Sequence, residues 1–106
     1  MFVKNEKRGF IPMVEGVKRK TLAHGEKTLL IEVFLDKGSI IPEHSHPHEQ
    51  TGYMISGSMV FKIDGNEFSA KPGDSWAIPG GAVHSVDVLE DSVVVEVFSP
   101  VREDYL

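Results

Sequence analysis

The chain of 106 residues is long enough for one ordinary domain, and its 41% hydrophobic and 25% charged residues are typical of a folded globular protein. It has no cysteine, which excludes disulfides and thiolate metal sites, so a metal ion would have to be bound by histidine, carboxylate or amide groups. The net charge of −5 is unevenly spread, because seven of the eleven Lys and Arg residues lie among the first thirty positions.

The first twenty residues are predicted to form a basic N-terminal arm. The run Lys18-Arg19-Lys20 is typical of a solvated strand edge. A basic arm on an acidic body could also cross onto a neighbouring subunit or attract an anionic substrate. No aromatic residue interrupts this run, so we expect no nucleic-acid partner. Residues 1–10 are charged and lack an apolar segment, so we expect no signal peptide, no membrane span and a cytoplasmic location.

The rest of the chain shows short-range apolar alternation, which is typical of β-strands. We predict strands at residues 17–22, 28–35, 52–55, 59–63, 75–78, 83–88 and 92–98. Turn-forming groups separate the strands, and Asp64-Gly65-Asn66 is the best hairpin signal because Gly and Asn tolerate a positive φ. The pattern favours an all-β fold, a jelly-roll-type antiparallel β-barrel. We expect one domain over residues 1–106, with an arm at 1–20, a barrel core at 28–98 and a tail at 99–106.

Four side chains are candidate metal ligands. His44 and His46 are two residues apart, a spacing that directs both imidazoles to one face of an extended chain. Gln50 begins the next extended segment after a bend, and His84 belongs to a distant strand. Strands that are far apart in sequence meet around the axis of a barrel, so the four side chains can share one ion. His48 has the same parity as the first two histidines and is the alternative to Gln50.

These residues resemble the two sequence signatures of the cupin superfamily. The first signature extends from Gly38 through the histidine pair to Gly57, and the second extends from Gly73 to His84. The resemblance implies one divalent metal ion that is bound by the four candidate ligands, His44, His46, Gln50 and His84. Nitrogen and oxygen ligands suit Zn, Ni, Fe, Mn or Cu, and the sequence does not choose among these metals.

Gln50 stands where the superfamily usually has a glutamate ligand. Three imidazoles and one amide are all neutral, so they leave the full dipositive charge on a bound ion. An ion of this kind favours an anionic ligand and Lewis-acid chemistry.

A glutamate interrupts each of two apolar segments, Glu32 within residues 30–34 and Glu96 within residues 93–98. A carboxyl group among apolar side chains binds its proton more tightly, and this suits proton transfer near neutral pH. The two segments are alike, so their burial pattern does not select one glutamate. For Glu96, an outward orientation or an ion pair with Arg102 is as compatible with the sequence as a catalytic role.

Three further segments are similar to one group of cupins, the KdgF-like proteins of pectin degradation. The similar segments are residues 16–19, residues 44–50 and the C-terminal residues 97–106. Members of this group convert 4,5-unsaturated uronates, the products of pectin or alginate lyases, to linear keto sugars. The resemblance therefore implies a metal-dependent enzyme whose substrate is a small anionic sugar.

The same resemblance assigns roles to residues near the C-terminus. It implies that Glu96, where the group has aspartate, and Arg102 are catalytic, and that Phe98 and Arg102 bind the substrate. The guanidinium of Arg102 is a planar fork that matches a sugar carboxylate. Tyr53 is a further candidate for substrate binding, and Met54 and Trp76 are candidates for the wall of the pocket.

Two other functional classes are compatible with a cupin fold, because the same fold hosts many unrelated activities. One alternative is a metal-dependent dioxygenase with an apolar pocket. The other is a non-catalytic cupin that binds a small acid. Small cupins commonly pair their barrels, so the resemblance also implies a homodimer.

Overall fold

Eight β-strands and one short 3₁₀ helix make up the fold in the computed structural model, which describes residues 1–6 and 8–106. The strands are β1 (Ile11–Pro12), β2 (Val17–His24), β3 (Leu29–Leu35), β4 (Ile40–His44), β5 (Glu49–Ile63), β6 (Asn66–Ala70), β7 (Ser75–Ile78) and β8 (His84–Ser99). The 3₁₀ helix spans Glu103–Tyr105. The prediction of an all-β fold is confirmed, and the strands pair in antiparallel fashion.

Two long strands, β5 and β8, organise the sheet. They pair with each other from Glu49 opposite Ser99 to Ile63 opposite His84. The first half of β5 also pairs with β7, and its second half pairs with β6. The first half of β8 pairs with β4, and its second half pairs with β3, beyond which lie β2 and β1.

The sheet folds over because β5 bends in its middle. Its register against β8 shifts between Met54 and Met59, and bulges of this kind bend a strand. Gly57 lies in the bend with a φ of 99°, and a Cβ there would overlap the carbonyl oxygen of Asp91. One layer is therefore β1-β2-β3-β8-β5-β7, and the other is β4-β8-β5-β6. Over the described residues the ladder of hydrogen bonds does not close, so the predicted barrel is a folded open sheet.

The space between the two layers contains the hydrophobic core. Strand β3 shows why, since its seven residues alternate between buried and half-buried positions. The buried residues point inward, where they meet buried side chains of β5 and β8 such as Met54, Phe61 and Val94. The same alternation also places polar side chains of β5 and β8 on the inner face.

The strand boundaries differ from the predicted ones at the bends. Residues 52–55 and 59–63 belong to one strand, and so do residues 83–88 and 92–98, because a bulge bends a strand without ending it. Strands β1, β4 and β6 are additional to the predicted set. The predicted hairpin connects β5 to β6, but the positive φ values of 48° and 83° fall on Asp64 and Gly65 and not on Asn66, which already belongs to β6.

The N-terminal arm contacts its own chain. Phe10 packs edge-on against Phe34 of β3 with ring centroids 5.1 Å apart, and the Lys18 ammonium lies 4.8 Å from the Phe10 ring.

In residues 1–6 and 8–106, no helix is long and apolar enough to cross a membrane.

Candidate metal centre

Three histidines converge at one end of the space between the layers. His44 and His84 lie opposite each other on β4 and β8, with ring centroids 4.2 Å apart. His46 follows in the loop after β4, and its ring centroid is 5.1 Å from that of His84. One ring nitrogen of each histidine lies within 4.8 Å of the other two. His84 is buried, whereas His44 is exposed, so the cluster spans from the interior to the surface.

The backbone fixes the orientation of all three rings. Each Nδ1 lies close to a backbone carbonyl oxygen two residues away, at 2.8 Å for His44, 3.0 Å for His46 and 2.9 Å for His84. A carbonyl oxygen only accepts hydrogen bonds, so each Nδ1 carries a hydrogen and donates it. The other nitrogen of a neutral ring, Nε2, then presents a lone pair, as in metal-binding histidines. Burial lowers the pKa of His46 and His84, which favours their neutral form.

Two contacts show that a cation fits among these residues. Nε2 of His84 is buried and has no hydrogen-bond partner among the described residues. Nε2 of His46 lies 3.0 Å from Oε1 of Gln50, and both atoms are acceptors when Nδ1 carries the hydrogen. Two atoms that bind one ion at about 2.1 Å lie about 3.0 to 3.4 Å apart, so this pair suits neighbouring ligands of one ion.

Gln50 connects the histidines to the half-buried carboxyl group of Glu96. Its side chain is buried on β5, and its Nε2 donates a short hydrogen bond to Oε2 of Glu96 on β8. The same Oε2 accepts a second hydrogen bond from Nε1 of Trp76 at 3.2 Å. Burial raises the pKa of Glu96, against the opposite effects of these two donors and of the nearby Arg102.

Arg102 brings a positive charge to the same cavity from the C-terminal tail. Its side chain is 14% exposed, and its guanidinium binds Asp104 through Nη2 at 2.8 Å and through Nε at 3.3 Å. The guanidinium carbon lies 3.9 Å from the centroid of the Tyr105 ring, and that of Arg19 lies 4.0 Å from it. Two guanidinium groups at this distance must lie on opposite faces of the ring. Arg19 of β2 therefore anchors the tail that contains Arg102.

The cavity itself has a volume of about 50 Å³. Its polar lining comes from the metal centre and the tail, namely His44, Gln50, His84, Glu96 and Arg102. Phe98, Met13 and several core residues form the apolar lining. A space of this size holds an ion and a few waters but not a whole sugar ring, so a sugar would reach in from the open end.

Comparison with known proteins agrees with this geometry. A family model described as the cupin domain matches residues 31–99. The chain is a cupin. It is 34% identical over 94 residues to the pectin degradation protein KdgF of Dickeya dadantii. The matched residues make up 87% of this chain and 86% of that KdgF. The structure of KdgF from Halomonas sp. superposes with a TM-score of 0.92 at 31% identity, over 100% of this chain and 98% of that one.

A second curated relative covers less of the cupin. Quercetin 2,3-dioxygenase of Bacillus subtilis is 40% identical over 50 residues, which is 46% of this chain and 15% of the dioxygenase. The KdgF-like resemblance that the sequence indicated is confirmed, since it extends over most of the chain in both sequence and structure.

The structure of the cupin brings most of the predicted site residues together. His44, His46 and His84 form the three-histidine group, as a metal site requires. Gln50 contacts this group, whereas the His48 ring lies outside it, and the His48 carbonyl oxygen instead accepts the bond from His46. Gln50 as the fourth ligand stays a prediction.

Three residues near the C-terminus also reach the cavity. Glu96 and Arg102 line it, as does Phe98, which is 2% exposed. The Phe98 ring packs edge-on against His46, with centroids 5.6 Å apart. A side chain in this position supports the His46 ring and offers little surface to a substrate.

Tyr53, which the sequence suggested for substrate binding, lies on the outer face of the sheet in the cupin, and its role in binding stays a prediction. Side chains alternate along β5, so Gln50, Gly52 and Met54 face inward and Tyr53 faces outward. Tyr53 is 49% exposed and does not line the cavity. Gln50 and Tyr53 are three residues apart, and in one strand this spacing puts their side chains on opposite faces. The predicted strand begins at residue 52 and does not include Gln50, so the sequence prediction does not apply this rule.

Sequence reasoning missed the contact between Trp76 and Glu96. The available signal is Gly52, a glycine in the interior of a strand, which often marks a site where another group approaches closely. In this cupin the approaching group is the indole of Trp76.

Proposed function

We propose that this cupin converts a 4,5-unsaturated uronate to a linear keto sugar with the help of a divalent metal ion. One observation carries the proposal: a single cavity is lined by His44 and His84 of the three-histidine group, the carboxyl of Glu96 and the guanidinium of Arg102. The similarity to KdgF, a protein named for pectin degradation, supports a uronate as the substrate class.

The proposed reaction is an isomerisation. The bond between C1 and the ring oxygen breaks, and the C1 hydroxyl loses its proton as C1 becomes an aldehyde carbon. C4 gains a proton while C5 becomes a ketone carbon, so the double bond between C4 and C5 disappears. No atom enters or leaves overall, and the enzyme needs one group that moves a proton and one that holds the sugar.

The metal centre would be held by the three histidines and Gln50. A divalent ion bound there supplies positive charge that polarises a sugar oxygen. The ligand side chains are neutral, so the centre attracts an anionic sugar rather than repelling it.

Arg102 is the proposed clamp for the sugar carboxylate. Asp104 occupies Nε and Nη2 of its guanidinium, and the group has five N–H donors in all, so others stay available for a ligand. The Tyr105 ring stacks with the guanidinium of Arg102, and Arg19 stacks on the other face of the ring, so the guanidinium is held in place. A charge-assisted pair with a carboxylate is stronger than a neutral hydrogen bond, which suits substrate capture.

Glu96 is the proposed proton carrier. Both of its N–H donors, from Gln50 and Trp76, bind Oε2, and no other described residue is hydrogen-bonded to Oε1. Oε1 is thus the oxygen that is available to a sugar in the cavity. Because burial raises the pKa of this carboxyl group, it can hold a proton nearer to neutral pH than an exposed glutamate can.

The test is to follow the ultraviolet absorbance of an unsaturated uronate, which disappears with the conjugated double bond. Protein that has been stripped with a chelator and reloaded with Ni²⁺, Zn²⁺ or Mn²⁺ should accelerate this loss over buffer. The His84→Ala variant should not accelerate the loss of absorbance. The product that the wild type forms should have the same mass as the substrate. No acceleration with any of the metals would reject the uronate proposal.

Two further measurements on the metal-loaded protein distinguish the alternative functions. Oxygen consumption with an aromatic substrate would indicate the dioxygenase. Tight binding of a small acid without turnover would indicate a non-catalytic cupin.

A further inference from the structure

Trp76, Gly52 and Glu96 lie side by side across three strands. Gly52 of β5 is paired with Trp76 of β7 on one side and with Glu96 of β8 on the other. All three positions share the inner face, since their neighbours Met54, Ile78 and Val94 are buried.

The indole of Trp76 crosses this row above Gly52. A Cβ added at Gly52 would overlap Nε1 and Cε2 of the indole, so only glycine leaves room for the ring. The crossing places Nε1 at 3.2 Å from Oε2 of Glu96. The ring also packs against Phe61, with centroids 4.6 Å apart, which fixes its position from the other side.

The indole determines which role Oε2 plays. An indole N–H only donates hydrogen bonds, so Oε2 of Glu96 accepts one from Trp76. Nε2 of Gln50 donates a second hydrogen bond to the same oxygen. The amide of Gln50 therefore presents Oε1 to Nε2 of His46, at 3.0 Å.

We propose that Trp76 and Glu96 are positioning residues that fix the amide of Gln50 with its oxygen toward the metal-binding histidines. An amide can be turned over without changing its shape, and the turned amide would present N–H groups, which cannot bind a cation. Outer hydrogen bonds of this kind orient ligands in many metal sites. The inference rests on the metal centre of the proposed function but not on the reaction.

The test measures Ni²⁺ affinity by calorimetry on chelator-stripped protein, together with the absorption spectrum of the Co²⁺ form. Glu96→Leu removes the acceptor and should weaken Ni²⁺ binding by about 10- to 100-fold. Glu96→Gln keeps an oxygen that accepts both N–H groups, so its Ni²⁺ affinity and Co²⁺ spectrum should stay close to those of the wild type. Glu32→Leu, on the outer face of β3, is the matched control and should leave both unchanged.

Trp76→Phe tests the other end of the chain of hydrogen bonds without changing the carboxyl group. The phenyl ring still packs on Phe61 but donates no hydrogen bond, so Ni²⁺ affinity should fall by about 2- to 10-fold, the contribution of one hydrogen bond. Thermal unfolding of the metal-free variants shows whether they are folded.

A double-mutant cycle separates positioning from a general structural effect. If Glu96 acts through Gln50, Glu96→Leu should cause no further loss of affinity in a Gln50→Leu background. The inference would be overturned by wild-type affinity and spectrum in Glu96→Leu, or by an equal loss in both backgrounds. These measurements need no substrate, so a failed uronate assay would leave them unaffected.

Discussion

The inner and outer faces of the layer formed by β3, β8, β5 and β7 contain similar kinds of residue but differ in what those residues do. On the inner face, Gln50 and Glu96 are hydrogen-bonded to each other beside the histidines. On the outer face, Tyr53 and Ile55 are 49% and 47% exposed, and β8 contributes half-buried valines. The two faces show that the types of residue in a strand do not by themselves produce a candidate functional site. The site forms where side chains from several strands converge on one cavity.

Two glutamates make the contrast sharper. Glu32 and Glu96 lie in similar apolar segments of neighbouring strands, where Ile31 pairs with Glu96 and Glu32 pairs with Val95. Glu96 points into the cavity and meets two N–H donors. Glu32 points to the outer face. A difference of one position in the strand therefore separates a candidate proton carrier in the cavity from a half-buried carboxylate on the outer face.

The largest expected effect is the loss of the metal from the inner face. His84→Ala or His44→Ala should abolish metal binding, since each removes one ring of the three-histidine group. His48→Ala should leave most of it, because the His48 ring lies outside the group. Metal content of the purified variants and Ni²⁺ titration provide the measurement. Equal losses in all three variants would show that the ligand set is wrong.

The next effect compares the two glutamates directly. Glu96→Gln should lower kcat on the unsaturated uronate by about 10²- to 10⁴-fold, as expected for loss of a proton carrier, with metal content near that of the wild type. Glu32→Gln should leave kcat unchanged. Steady-state kinetics with metal analysis of each variant is the measurement. Equal activity of Glu96→Gln and the wild type would dismiss Glu96 as the carrier.

A smaller effect is expected from the clamp at the cavity mouth. Arg102→Ala should raise KM by about 10- to 100-fold, the contribution of hydrogen bonds to a charged group, with a smaller change in kcat. Arg8→Ala is the control, because Arg8 forms an exposed ion pair with Glu6 in the N-terminal arm. A fall in kcat at constant KM would assign Arg102 to the chemical step instead of to binding.

The smallest effect on activity is expected from the outer face, where the homodimer prediction can be tested. Tyr53 and Ile55, both exposed on this face, suit contact with a second copy of the chain. The wild type should sediment with the mass of two chains at micromolar concentration, and Tyr53→Glu should shift it toward one chain while the metal content stays the same. Sedimentation of the wild type as one chain would contradict the dimer.

The sequence by itself determined the fold class and the histidine group. Apolar alternation within each strand is a local property, so the strands of the core could be read without tertiary information. His44 and His46 follow the same logic, because their spacing alone places both rings on one face. The turn at Asp64 and Gly65 is equally local, since it depends on two residues that tolerate a positive φ.

Only the tertiary structure decided which side chains share the cavity. The bend at Gly57, the crossing of Trp76 over Gly52, and the choice of Glu96 over Glu32 all depend on which residue of one strand lies opposite which residue of another. Residues that are paired in this way, such as Gly52 and Glu96, are far apart in the chain, so no local pattern records their contact. Register is set by the packing of the whole sheet, and a shift of one residue moves every side chain of a strand to the other face.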